Sequence, residues 1–247
     1  MPLFGTRDVD AERDGLPVVT ALASEGWESE DAEVLNLTYE FDDTRYVELL
    51  PPALHPTIPL YGAIMLRAHD TSPVGPFSLA ELRVMGRAGI HQGGYTLGGF
   101  ASTPEAVALL RDSYGWPGRL GEVGIERKHY ATLASVRSDG RTVLDAAMEH
   151  SEPITPDAIV YQVSFHLAQV DSEIRLVQAE PHYTPKEAER GTPRVSVFDA
   201  EAFGDARIKL TNPLPATYMR GSVEVRPVRW TMDPKQPGAI GAKRVGS

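Results

Sequence analysis

From Val34 onward the chain runs in short apolar–polar alternations, the period-two pattern of strands that bury one face. "VLNLTYEF" (Val34–Phe41) carries the β-branched and aromatic residues that suit a strand. A strong apolar strand is predicted over Leu60–Arg67, after a proline-rich crossing, and two more in "AELRVMGRAG" and "GGYTLGGF". One stretch changes period. In "STPEAVALLRDSYG" (Ser102–Gly115), Val107, Leu110 and Tyr114 form a helical stripe. Ser102 or Thr103 can cap this helix, Glu105 offers a capping box with Ser102, Pro104 suits its first turn, and Gly115 with Pro117 ends it.

Alternation then resumes. Asp139-Gly140 divides "YATLASVRSDGRTVLDAAM" into a predicted hairpin. "AIVYQVSFHLAQV", "IRLVQAEPHYT", "TPRVSVFD", "ARIKL" and a closing "RGSVEVRPVRWTM" read as further strands. Many strands around one good helix predict a mainly-β α+β fold in a single domain, residues 34–247. Residues 1–33, with the acidic "SEGWESEDAE", read as an N-terminal arm or cap.

Composition narrows the function classes. The net charge of −10 argues against nucleic-acid and anionic-membrane partners, which need a cationic surface. The absence of cysteine removes disulfides, thiolate metal sites and a cysteine nucleophile. No apolar run approaches a membrane span and Met1–Ala23 is broken by charges, so the expected location is the cytoplasm. His91, His129, His150 and His166 show no metal-ligand spacing, so neither a metal nor a cofactor is expected.

The order of "IMLRAHDTSPVGPFSLAELRV", "GGYTLGG" and "YGWPGRLGEV", followed by "TPRVSVFDAEAFGDARIKL", resembles the acetoacetate decarboxylase family. The resemblance covers about Val34 to Met232. It implies a closed, cone-like antiparallel sheet around a central cavity, and a homo-oligomer. It also implies Schiff-base chemistry, in which a lysine after a Gly-aromatic-Pro turn attacks a ketone and a second lysine lowers its pKa.

Laid on that pattern, Gly115-Trp116-Pro117 keeps the turn, but Gly118 and Arg119 stand where the lysine pair belongs. The two family glutamates fall on Ile64 and on Leu79, with Glu81 two residues further on sharing the Leu79 face; the family arginine falls near Ala32. Arg119 has no free lone pair for attack.

The candidate catalytic residues are therefore Arg119 as an anion clamp, Glu81 as a general acid or base, and Glu122 as the acid that orients Arg119. Glu81 has an alternative as a solvent-facing partner of Arg83, and Arg119 as a structural ion pair with Glu122. Tyr61, Ile64, Leu79, Tyr95, Trp116 and Gly118 are the candidate pocket, made more apolar by Ile64 and Leu79. The expected function is a lysine-independent, cofactor-free lyase, isomerase or cyclase acting on an apolar keto or enol compound of secondary metabolism. The alternatives are a non-catalytic ligand-binding or structural member, and a decarboxylase with a relocated lysine, Lys128 being nearest in sequence.

Overall fold

The computed structural model describes residues 3–41 and 45–246; residues 1–2, 42–44 and 247, which belong to the two expected spans, lie outside it. The described chain is mainly β. Its strands are β1 (Val18–Val19), β2 (Trp27–Phe41), β3 (His55–Pro56), β4 (Tyr61–His69), β5 (Phe77–Ala88) and β6 (His91–Ala101). After them come β7 (Gly118–Leu120), β8 (Glu122–Arg127), β9 (Ala131–Ser138), β10 (Arg141–Pro153), β11 (Val163–Val170) and β12 (Glu173–Ala179). The last are β13 (Pro181–Phe198), β14 (Leu210–Pro213), β15 (Ala216–Val225), β16 (Trp230–Met232) and β17 (Ala242–Arg244). Two α-helices interrupt them, α1 (Tyr46–Leu49) and α2 (Pro104–Tyr114).

The strand pairings trace one trunk, β8-β9-β10-β13-β15-β2-β4-β5-β6-β11-β12-β16-β17. β1, β3, β7 and β14 branch from β11, β5, β6 and β2. Among the described residues no ladder joins β8 to β17, so the pairings are those of an open, branched sheet and not the closed cone expected from the resemblance. Closure is approached by packing instead: β8 lies against β4, β5 and β6.

Local chemistry explains the departures from the expected elements. Trp27–Glu33, read as a solvated arm, is the first half of the 15-residue β2. Its alternation is hidden because the buried members include the small Ser29 and Ala32. The expected closing strand splits into β15 and β16, with Pro227 in the gap. Of "ARIKL", only Leu210 belongs to a strand. Helix α2 ends where its sequence says. Thr103 Oγ1 accepts from the Ala106 N–H at 3.2 Å, and Gly115 takes φ of 63° while its N–H bonds back to the last turn. Ser102 instead accepts from the Ser78 N–H at 2.8 Å, so it does not make a capping box.

The two faces of β4 and β5 serve different purposes. Ile64, Leu66, Ala80, Leu82 and Val84 enter the larger core with Leu35 and Leu37. The alternate positions face a second region, in register as Met65 opposite Glu81 and Arg67 opposite Leu79. Strand β11 joins β6 in parallel, with Phe165 and Leu167 in the larger core and Ser164 and His166 on the other side. Three strands thus deliver charged or titratable side chains to one buried space.

Candidate functional site

That space holds an ionic cluster. Glu81 has no solvent exposure. Its Oε1 lies 3.0 Å from Arg67 Nη2 and 3.8 Å from Arg83 Nε, and its Oε2 accepts a hydrogen bond from Trp116 Nε1 at 3.2 Å. Burial alone would raise the Glu81 carboxyl, but Arg67 and Arg83, with His166 and the indole N–H, hold it below the usual carboxylate range. Arg83 donates from Nη2 to the carbonyls of Gln162 (3.0 Å) and Val163 (2.6 Å). A Cβ on Gly94 would stand 2.2 Å from Arg83 Nε, so only glycine admits the guanidinium there.

His166 Nδ1 lies 2.8 Å from the Tyr114 carbonyl. A carbonyl only accepts, so Nδ1 carries the proton and Nε2 keeps its lone pair. Burial pushes the His166 pKa down to about 4, with Arg67 and Arg83 adding to the shift and Glu81 and the carbonyl opposing it. His69 falls to about 3 for the same leading reason, helped by Arg67. Both rings are neutral at ordinary pH. They line, with Trp27, Arg67, Leu79, Tyr114 and Trp116, a narrow interior cavity of about 30 Å³.

A larger, open cleft of about 630 Å³ lies on the other side of β6 and β7, lined by Arg7, Glu12, Tyr95, Arg111 and Arg119 with Gly98, Gly99 and Gly118. The wall between the two spaces is glycine backbone. Gly99 pairs with Gly118, and a Cβ on Gly99 would lie 2.8 Å from the Trp116 ring and 3.2 Å from the Glu81 Cα.

The acetoacetate decarboxylase family profile matches residues 16–233, most of the chain. The chain belongs to the acetoacetate decarboxylase family. Solved structures agree on the fold. An acetoacetate decarboxylase from Legionella pneumophila superposes with a TM-score of 0.74 at 16% identity, covering 92% of this chain and 97% of that one. A further acetoacetate decarboxylase gives 0.73 at 15% identity, over 94% and 91%. The enduracididine biosynthesis enzyme MppR complexed with pyruvate gives 0.68 at 15% identity, over 82% and 89%. No curated protein matches the chain in sequence.

Against the family's lysine pair, this member shows a filled space. A Cβ on Gly118 would meet the Trp116 ring at 2.0 Å, so the indole occupies the direction a lysine side chain would take. Lys128, Lys186, Lys209, Lys235 and Lys243, all the lysines of the sequence, are exposed.

The sequence-predicted residues separate accordingly. Glu81, Leu79 and Trp116 meet at the cluster; Glu81 is neither solvent-facing nor paired with Arg83 alone. Ile64 does not line the cavity, because its face of β4 belongs to the larger core. Ala32 is buried in the core on the cluster's side of the sheet and brings no charge. Tyr61 is half-buried and its carbonyl accepts the Tyr46 hydroxyl at 2.8 Å. Tyr95 lines the outer cleft, with Arg7 5.6 Å above its ring. Arg119 is exposed and stacks 4.7 Å over Phe100 at the cleft, on the opposite side of β7 from the direction of a Gly118 side chain. Glu122 is exposed on β8, and among the described residues it makes no ion pair with Arg119. Arg67, His69, Tyr114 and His166 were not singled out as site residues. For Arg67, His69 and His166 the signal was a polar residue recurring at every second position of an otherwise apolar strand, whereas Tyr114 ends the apolar stripe of α2.

Proposed function

We propose that this protein is an enzyme of the acetoacetate decarboxylase family that works without a covalent lysine, on a keto or enol compound held non-covalently. One observation carries the reading: the Trp116 indole fills the space beside Gly118 and bonds to Glu81, while every lysine is on the surface. A lysine on the surface lacks the apolar, enclosed setting that activates a Schiff-base amine.

The cluster supports acid–base chemistry instead. His166 Nε2 offers a lone pair to the interior cavity and can take a proton from carbon beside a carbonyl. The C–H electrons then move onto the carbonyl oxygen, and the Arg67 guanidinium stabilises that oxygen's charge. Return of the proton to a different atom is isomerisation; loss of a leaving group is a lyase step. Glu81 keeps the guanidiniums in position. Only a small reacting group fits in about 30 Å³, and the glycine backbone of β6 and β7 separates it from the outer cleft, so the compound that reacts there is a small one. Of the two residues expected to make the pocket apolar, Leu79 lines the cavity and Ile64 does not. A second reading, a non-catalytic binder, is favoured by how little interior volume Trp116 leaves.

Incubation with acetoacetate and borohydride should leave the protein mass unchanged. A reduced adduct on any lysine overturns the proposal. Turnover of keto or enol compounds that is lost in His166→Gln supports catalysis, whereas binding without turnover favours the second reading.

A further inference from the structure

We propose that the outer cleft is a second ligand site, which takes an organic phosphate and holds its phosphoryl group with Arg111 and Arg119. The proposal does not depend on the chemistry assigned to the interior cluster, because the glycine backbone of β6 and β7 lies between the two spaces.

The first support is charge. Arg7 also lines the cleft, but it is already neutralised: its Nε lies 2.7 Å from Glu12 Oε1 and its Nη1 3.5 Å from Asp205 Oδ2. Arg111 and Arg119 line the same cleft, and neither has a carboxylate partner among the described residues. In a chain of net charge −10, this cleft therefore carries a local excess of two positive charges. A phosphoryl group brings about −1.5 to −2 at neutral pH, and its oxygens match the planar guanidinium fork. A carboxylate brings only one negative charge.

The second support is how the two guanidiniums are held. Arg119 stands opposite Phe100 in the parallel register of β6 and β7, and its guanidinium stacks 4.7 Å over that ring. Phe100 is fully buried, so the platform is fixed. Stacking occupies the face of the guanidinium and leaves its N–H edge for a ligand. Arg111 sits in the last turn of α2, whose partly negative end favours a cation there without pairing it.

The third support is Tyr95. It is 2% exposed and lines the cleft, yet its hydroxyl has no hydrogen-bond partner among the described residues. Burial pushes its pKa up to about 12, so it keeps its proton and can donate. Folded proteins seldom leave such a group unpaired, and an acceptor oxygen in the cleft completes it.

The rest of the cleft describes the rest of the ligand. Its volume of about 630 Å³ falls in the range of small-molecule sites, roughly 300–1,000 Å³, and exceeds what a phosphate ion needs. Leu16, Pro17 and Leu167 add apolar wall. The phosphate therefore carries an apolar or aromatic body.

The test titrates phenyl phosphate into the whole protein by calorimetry, with inorganic phosphate and benzoate at equal ionic strength for comparison. Phenyl phosphate should bind saturably and at least about fivefold more tightly than either, since it alone joins the charge to the ring. Arg111→Gln and Arg119→Gln should each weaken it by about tenfold with little change in Tm, because both side chains are exposed. Tyr95→Phe should weaken it in the same direction. Arg137→Gln is the control: Arg137 is exposed on β9 and does not line the cleft, so affinity should stay as it is. Absence of saturable binding overturns the proposal, as does benzoate or inorganic phosphate binding as tightly as phenyl phosphate. Unchanged affinity in Arg119→Gln, or an equal loss in Arg137→Gln, overturns it too. The lysine-free reading of the interior cluster is judged separately, by the borohydride result.

Discussion

Glu81 is the residue on which the cluster turns. It is fully buried and lies beside two guanidiniums that have no other acid near them in the cluster. Glu81→Gln keeps the shape but removes the counter-charge, and breaking a buried pair from one side costs about 3–5 kcal/mol. Urea unfolding should show that loss as a lower midpoint; an unchanged midpoint would mean that solvent reaches the arginines. Trp116→Phe is the milder test. It keeps most of the ring and removes one charge-assisted N–H bond to Glu81, a loss of about 1.5–3 kcal/mol. Arg119 contrasts with both. Its exposed stacking on Phe100 contributes about 0.5–1 kcal/mol, so Arg119→Ala should barely move Tm, and any larger effect should appear in ligand affinity at the outer cleft.

At the scale of elements, the turn from α2 into β7 places the Trp116 indole where a side chain on Gly118 would go. The turn was legible, because Thr103, Pro104 and Gly115 each have one local job and the structure uses them for it. The Asp139-Gly140 hairpin was legible for the same reason, both residues taking positive φ between β9 and β10. The cluster was much less so. Arg67 and His69 on β4, Glu81 and Arg83 on β5, and Ser164 and His166 on β11 each repeat at period two within their own strand. Their meeting depends on the parallel pairing of β6 with β11, which joins positions about seventy residues apart. Sequence adjacency also misled. Arg119 follows Gly118, but neighbours on a strand face opposite ways, so the charge left the space that the turn points to. The same geometry gives a prediction. Gly118→Ala places a methyl group against the Trp116 ring, where a Cβ has 2.0 Å, and should destabilise the fold by about 1–3 kcal/mol, the usual cost of overpacking. In a Trp116→Leu background the cost should shrink. A double-mutant cycle in urea measures the difference, and additive losses would show that the indole is not what excludes a side chain at this position.

For the whole molecule, the buried histidines predict how stability depends on pH. His166 titrates near 4 and His69 near 3 in the folded chain, against about 6.5 when unfolded. Both folded values are depressed, so their contribution is complete above about pH 6.5 and is lost as pH falls toward the folded values, because the unfolded chain takes up protons first. By pH 5 each ring accounts for a loss of about 2 kcal/mol, from 1.5 pH steps at about 1.36 kcal/mol each. Two other effects fall outside this window. The carboxylates held down by partners, Glu81, Asp31, Asp70 and Asp205, act at lower pH, near and below the ordinary carboxylate range. The net charge of −10 becomes smaller on acidification, which weakens self-repulsion and opposes the loss. A decline in urea stability between pH 6.5 and 5 therefore belongs to the histidines. His166→Gln, compared with its own value at pH 7.5, should remove about half of that decline, and His69→Gln much of the rest. His166 faces Glu81, Arg67 and Arg83, and His69 faces Arg67 with Asp70 alongside, so a decline that survives both substitutions would show that the arginines do not hold these rings neutral and that the cluster carries a different charge from the one assigned here.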